Sequence, residues 1–233
     1  MNDLNSRTKL QTIIDSLAMS VHEGMTTMEL EDSAVRLLSL LKVEPAFKGY
    51  QPHGAKGGYP FVSCISIDNE VIHGLPSDRK IEEGQLVKID LGLIDEGQYD
   101  DGETTVLVGH CSATARRLWT ATRDALEAGI AQAKAGKTTH DIAKAISDIA
   151  KDGGFGVIKG YGGHGIGEKL HQEPNVPNEV EGEPVELKSG MRICVEPMFA
   201  SNKGYVYIDP NGWTIKLHGG GVSAHFERSV TIK

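Results

Sequence analysis

The chain repeats itself, and that repeat limits the folds open to it more than any other feature. Gly24-Met-Thr-Thr-Met-Glu-Leu30 returns as Gly136-Lys-Thr-Thr-His-Asp-Ile142, an offset of 112 residues. Each copy reads as a helix start. Thr26 with Glu29, and Thr138 with Asp141, have the N-cap and N3 spacing of a capping box, with Asp the shorter match. Leu30, Ala34, Leu37, Leu38 and Leu41 then fall on one helical face, as do Ile142, Ala145, Ile146 and Ile149. Another helical run precedes each copy, over about 8–20 and 113–135.

The strands repeat as well. Gly84-Gln-Leu-Val-Lys-Ile-Asp90 matches Gly190-Met-Arg-Ile-Cys-Val-Glu196, offset by 106. Each places an acid six residues after a glycine, at the end of an apolar strand. A later strand in each half carries another acid: Asp101 before Thr104-Thr-Val-Leu-Val108, and Glu227 before Val230-Thr-Ile232. A helix pair followed by antiparallel strands, twice over, predicts an α+β protein. Its pseudo-symmetric halves, about 1–115 and 116–233, would share one curved sheet with helices on the outer face. The seam near 110–120 carries no flexible linker, so residues 1–233 are expected to form one domain.

Composition narrows the class. With 233 residues, 39% hydrophobic and 24% charged, the chain can bury roughly 70–75% of its unfolded surface without disulfide staples. A net charge of −8 with no long basic run argues against a surface built for nucleic acid. Cys64, Cys111 and Cys194 form no CxxC pair, which suits a reducing cytoplasm. The polar N-terminus has no signal-peptide pattern, and no apolar run approaches a membrane span. The expectation is a cytoplasmic monomer without membrane or nucleic-acid partners.

Asp90 and Asp101 flank one turn, within Lys88-Ile-Asp-Leu-Gly-Leu-Ile-Asp-Glu-Gly-Gln-Tyr-Asp-Asp101, which reads as a β-hairpin. A two-residue loop at Asp95-Glu96 would set Asp90 directly opposite Asp101. A loop at Glu96-Gly97 would still leave both on one face, whereas an unbulged three-residue loop would separate them. From the hairpin alone, two exposed acids are an equal reading. The repeat adds Glu196 and Glu227 at related positions. If the halves face each other, four acids converge, an arrangement that divalent cations about 3.5–4 Å apart would resolve. His164, in Gly162-Gly-His-Gly-Ile-Gly167, is the best-placed imidazole to join them. Oxygen donors with one imidazole suit Mn²⁺, Fe²⁺, Co²⁺ or Zn²⁺ in place of a structural thiolate zinc.

His164-Gly-Ile-Gly-Glu-Lys-Leu-His171-Gln-Glu-Pro-Asn-Val-Pro-Asn178, Val195-Glu-Pro-Met198 and Ile89-Asp90 with Asp101 resemble the type I methionine aminopeptidases of the pita-bread (creatinase/aminopeptidase-like) metallopeptidase superfamily. The resemblance runs from about residue 8 to the end and implies a two-metal site. In it Asp101 and Glu227 bridge, Asp90 holds one ion, and His164 with Glu196 holds the other. It also implies that Glu196 shuttles a proton and that His73 and His171 contact the substrate amide and the developing oxyanion. Tyr59, Cys64 and Trp213 match positions lining the methionine pocket. The implied substrates are the N-termini of nascent polypeptides, with the ribosome a candidate partner because they emerge there. The GHGIG and EP motifs are shared with Xaa-Pro peptidases, which leaves that activity, or a non-catalytic peptide-binding homologue, as alternatives.

Several positions depart from the type I pattern. Lys56-Gly57-Gly58 replaces the usual Tyr-His-Gly before the matched tyrosine. Asp100 replaces a glycine, and Gly102-Glu103 replaces Thr-Ser around the second aspartate. Leu170 replaces a phenylalanine and Arg228 a histidine. Asp100 is expected either to strengthen the field at the metals or to face solvent, since neighbouring strand residues point to opposite sides.

Overall fold

A computed structural model describes residues 6–51 and 57–233. Lys56 of the Lys56-Gly57-Gly58 departure lies outside the described residues. Helices α1 (Ser6–Ser20) and α2 (Thr27–Leu41) precede strands β1 (Glu44–Pro45), β2 (Ser63–Ile67), β3 (Glu70–Ile72), β4 (Leu86–Asp95) and β5 (Gln98–Leu107). A second pair, α3 (Ala113–Gln132) and α4 (Thr139–Gly153), precedes β6 (Gly156–Val157), β7 (Gly162–Gly165), β8 (Gln172–Pro177) and β9 (Arg192–Val195). The chain closes with β10 (Met198–Ala200), β11 (Val206–Ile208), β12 (Ile215–Leu217), β13 (Ser223–His225) and β14 (Glu227–Thr231).

Both capping boxes form. Thr26 accepts from the Glu29 amide while Glu29 accepts from the Thr26 amide, and Thr138 with Asp141 does the same. The equivalence extends to the loops. The Gly24 amide donates to Ile81 O at 2.8 Å and the Gly136 amide to Leu187 O at 3.0 Å, while the Ile81 and Leu187 amides return bonds to Met25 and Lys137. Gly84 and Gly190 both turn with positive φ, 86° and 89°. Each half therefore ties its second helix to the loop that feeds its acidic strand.

Strands of both halves meet in one eight-stranded sheet, ordered β1-β4-β5-β14-β9-β7-β8 with β2 also pairing β4, each pairing antiparallel; β13-β10-β6 and β11-β12-β3 form two smaller sheets. The innermost strand of each half, β5 and β14, lies at the join, where Glu227 pairs with Glu103. Strand alternation decides what each face carries. Ile89 and Leu91 of β4 pack with Leu10, Ile14 and Leu17 of α1. A Cβ on Gly102 would meet Ile14 at 3.2 Å. In the second half, Ile193 and Val195 pack with Leu118, Leu126 and Ile146 of α3 and α4. The helices thus cover one face, and Asp90, Asp101 and Cys194 are turned to the other.

A buried acid of α2 sets the position of β2. Glu31 accepts from the Val62 and Ser63 amides at 2.8 and 3.0 Å and from the Ser63 hydroxyl at 2.6 Å. That fixes the start of the strand carrying Cys64. Thr26→Ala and Thr138→Ala are each expected to cost about 1 kcal/mol, a fall of about 2–4 °C in Tm for a chain of this size. The double variant should show the sum. Thermal unfolding of the three variants checks this, and a loss at one site alone would break the equivalence of the halves.

Candidate metal centre

The hairpin closes at Glu96-Gly97, both with positive φ, 51° and 78°, as a two-residue type I′ turn requires. Gly97 takes the second such position without a Cβ penalty, which a loop at Asp95-Glu96 would not allow. The register is therefore the shifted one: Asp90 stands opposite Glu103, and Asp101 opposite Gly92. Asp90 and Asp101 stay on one face as diagonal neighbours. Glu103 lies between Asp90 on β4 and Glu227 on β14.

Asp90, Asp101, Glu196 and Glu227 are all buried and line one cavity of about 330 Å³ with His164, His73 and His171. Glu196 follows β9 directly and Glu227 opens β14. His164 sits on β7 between two glycines that the packing needs. A Cβ on Gly163 would lie 2.2 Å from Cys194 O, and one on Gly165 2.2 Å from Glu173 O. The His164 Nδ1 lies 2.9 Å from Gly165 O. Its Nε2 is left 3.6 Å from Glu196 Oε1 and 3.9 Å from Glu227 Oε1.

These donors fit divalent cations. Asp90 Oδ1 and Glu227 Oε1 are buried without a hydrogen-bond partner, a state that is costly unless a cation or proton completes it. Donor atoms within 4.8 Å of one another occur in Asp90-Asp101-Glu227, in Glu196-His225-Glu227 and in His164-Cys194-Glu227. Glu227 is common to all three, as a central bridging carboxylate would be. Without cations, burial lifts the acids. Asp101 rises to about 7, opposed by the Gly102 amide, and Asp90, Glu196 and Glu227 rise well above the carboxylate range, each lifted further by its acidic neighbours. Cys194 is pushed up by burial and by Glu227, which makes it a poor thiolate ligand.

The rest of the cavity is apolar. Tyr59 and Trp213 meet edge to face at 5.1 Å, with Cys64, Phe47 and Leu170 beside them. The Tyr59 hydroxyl reaches Ser63 O and Gly74 O. Asn211 Oδ1 accepts from the Trp213 and Thr214 amides and holds that turn. His73 has the left-handed backbone, φ 58°, a strained state for a residue with a Cβ. Burial, with His225 nearby, lowers its pKa to about 4. His171 lies with its ring 4.2 Å from that of His164 and its Nδ1 2.8 Å from the Tyr50 hydroxyl. Desolvation and the neighbouring His164 and His73 hold it below the ordinary imidazole range.

Asp100 does not face solvent, and its negative charge does reach the site, where it helps to raise Asp101. The Asp100 side chain is on the helix face, away from the cavity, yet it is fully buried because α1 covers it. It is paired with Arg192 at 2.6 Å and with the Ser6 hydroxyl. Leu170 lines the cavity, and Arg228 pairs at the surface with Glu127 at 3.0 Å. Phe47, Tyr50 and His225 also line the cavity without being among the residues expected from the sequence, and Glu103 stands out there only as a departure from the type I pattern. Glu103 is two residues after Asp101 and His225 two before Glu227. The period of two along a strand would have marked Glu103 as sharing the face of Asp101.

A carboxyl whose folded pKa lies above its unfolded value of about 4 binds its proton more tightly in the native state. Its contribution to stability is complete at low pH and is lost as pH rises through the folded value. In chelator, this contribution therefore fades from about pH 4 to pH 7 and above. Asp101→Asn removes one charge of the cluster. The chelated variant should melt above chelated wild type at pH 7.5, by about 2–4 °C per kcal/mol, and should gain less from Mn²⁺. A chelated variant no more stable than wild type would show that repulsion is not what strains the site.

With the geometry in place, the relatives are informative. A model of metallopeptidase family M24 matches residues 9–233. A methionine aminopeptidase of Aquifex aeolicus is 42% identical over 224 residues, 94% of this chain and 87% of that one. Another, from Borreliella burgdorferi, is 37% identical over 211 residues, 90% and 82% of the two chains. The crystal structure of a methionine aminopeptidase from Thermotoga maritima superimposes with a TM-score of 0.91 at 33% identity, over 97% of this chain and 89% of that one. A prolidase from Pyrococcus furiosus, at 24% identity and a TM-score of 0.73, covers 97% of this chain and 58% of its own, and shares the fold alone. The chain, with its pita-bread fold, belongs to metallopeptidase family M24.

Proposed function

We propose that residues 1–233 act as one catalytic domain that removes the N-terminal initiator methionine from new polypeptides, using two divalent ions held by Asp90, Asp101, His164, Glu196 and Glu227. The observation that carries this is one cavity lined by two unlike sets of residues. Buried carboxylates line it together with Tyr59, Cys64, Phe47 and Trp213, and Cys64 stands directly across from Asp90. A flexible thioether side chain suits such a wall, because sulfur packs well against aromatic rings. At about 330 Å³ the space is at the small end of ligand pockets, which suits one residue and a small neighbour.

Divalent ions at such a site polarise the first peptide carbonyl and make a water acidic near neutral pH. With ions bound, Asp101 and Glu227 would bridge them, Asp90 would be a terminal ligand of one, and His164 with Glu196 would hold the other. Glu196 takes the proton from the attacking water and passes it to the leaving amine. His73 and His171, held in the neutral form by desolvation, offer ring N–H groups to the substrate amide and the developing oxyanion. Tyr50 orients the second of these rings through its hydroxyl. The oxygen-rich set with an imidazole favours Mn²⁺, Fe²⁺, Co²⁺ or Zn²⁺. All these groups come from one chain, so a monomer suffices to build the site. Free, buried cysteines suit the cytoplasm, where substrates emerge from the ribosome. Among the described residues no helix is long and apolar enough to cross a membrane.

Metal-loaded protein should release methionine from Met-Ala-Ser, not from Met-Lys-Ser, and should lose that activity in chelator. Cleavage of Ala-Pro peptides would replace this reading with an Xaa-Pro peptidase, and no metal-dependent cleavage would replace it with a peptide-binding role. Trp213→Ala should raise KM for Met-Ala-Ser about 10-fold, the loss of roughly 1.4 kcal/mol of binding, with a smaller change in kcat. An unchanged KM would remove Trp213 from the methionine pocket.

A further inference from the structure

His225 ends β13, two residues before Glu227, and is 2% exposed. Its backbone is clamped to β5: its amide donates to the Thr105 hydroxyl at 2.9 Å, and that hydroxyl donates to His225 O at 2.6 Å. The ring is therefore held at both ends of its peptide unit, and it forms part of the cavity wall.

The two ring nitrogens face different partners. Nδ1 is in close contact with Glu103 Oε2, a carboxylate buried at the join of the two halves, without the angle of a regular hydrogen bond. Nε2 is buried, has no hydrogen-bond partner, and lies 3.6 Å from Glu196 Oε2. That separation is too long for a hydrogen bond. It is the separation expected between two donors that each sit about 2.0–2.2 Å from one ion. Donor atoms of Glu196, His225 and Glu227 all lie within 4.8 Å of one another.

His164 shows the same arrangement. Its Nδ1 is taken up by Gly165 O, and its Nε2 approaches Glu196 through the other carboxylate oxygen, Oε1. Glu196 is thus flanked by two imidazoles, one at each oxygen. Metal-bound histidines characteristically have the remote nitrogen held by a carboxylate or a carbonyl, which fixes the ring and raises its basicity. Glu103 supplies the carboxylate version and Gly165 the carbonyl version. We propose that His225 is a sixth protein ligand of the metal centre, binding through Nε2 beside Glu196 and Glu227, with Glu103 as its positioning residue. Glu103 and His225 then act as one unit, which accounts for an otherwise unmatched acid buried among four others.

The inference rests on the metallopeptidase site above, and Co²⁺ loading tests the two separately. In wild-type protein, X-ray absorption should count two imidazole ligands per chain, and proton NMR should show two strongly shifted, exchangeable ring N–H signals. His225→Gln should leave one of each and weaken Co²⁺ binding by calorimetry at least 10-fold. Glu103→Gln should weaken it in the same direction, within the roughly 10–100-fold range of such supporting contacts. A single imidazole in the wild type, or two retained in His225→Gln, would overturn the role of His225 while leaving the site intact. Failure to bind Co²⁺ at all would overturn the metal site itself. The wild-type count needs no variant to fold.

Discussion

Like charges held close in a water-poor interior repel, and five carboxylates converge in this fold. Asp90, Asp101, Glu103, Glu196 and Glu227 are all buried on or beside the inner face of one sheet. Two unit charges 4 Å apart repel by about 4 kcal/mol at an effective dielectric constant of 20, a large fraction of the net stability of a domain. The protein's own side chains meet part of this. The Nδ1 of His225 is against Glu103, and one buried cation, Lys88, donates to Asp68 O and Ser223 O at 3.1 Å. Burial pulls the Lys88 pKa down to about 8, and the charge of Glu103 opposes that fall. Divalent cations, which the family uses, answer the rest, so metal binding and folding stability share one set of groups.

The helix face is built to hold that inner face rigid. Helix α1 packs on β4 and β5, α4 on β6 and β8, and α3 on strands of both halves, while the buried Asp100 pairs with the partly exposed Arg192 to tie β5 to β9 at 2.6 Å. Breaking such a pair leaves an uncompensated charge and typically costs about 3–5 kcal/mol. A residue next to a candidate metal ligand in sequence thus serves the scaffold, because adjacent strand residues cannot share a face.

Much of this architecture could be read along the chain. The paired capping boxes, the glycine-to-acid strands and the positions of four helices depend on local spacing, and local spacing is present in a linear string. The candidate acids could be named for the same reason, since the repeat gave each a counterpart. The hairpin register was left between two loops of equal parity. The positive φ at Glu96 and Gly97 selected one of them and placed Glu103, not Asp101, across from Asp90. Phe47 and Tyr50 come from a connection with no periodicity, so nothing local marked them as cavity wall.

By itself the sequence determined the two-fold repetition, the helix starts and the oxygen-rich donor types, because each follows from residue identity at short range. Tertiary structure alone decided how the charges balance. It buried Asp100 under α1 instead of in solvent. It set Glu103 between strands of the two halves, and it brought His225 from a strand over a hundred residues away in the chain to meet it. Those outcomes depend on long-range antiparallel pairing, where a shift of one residue exchanges the faces of a whole strand.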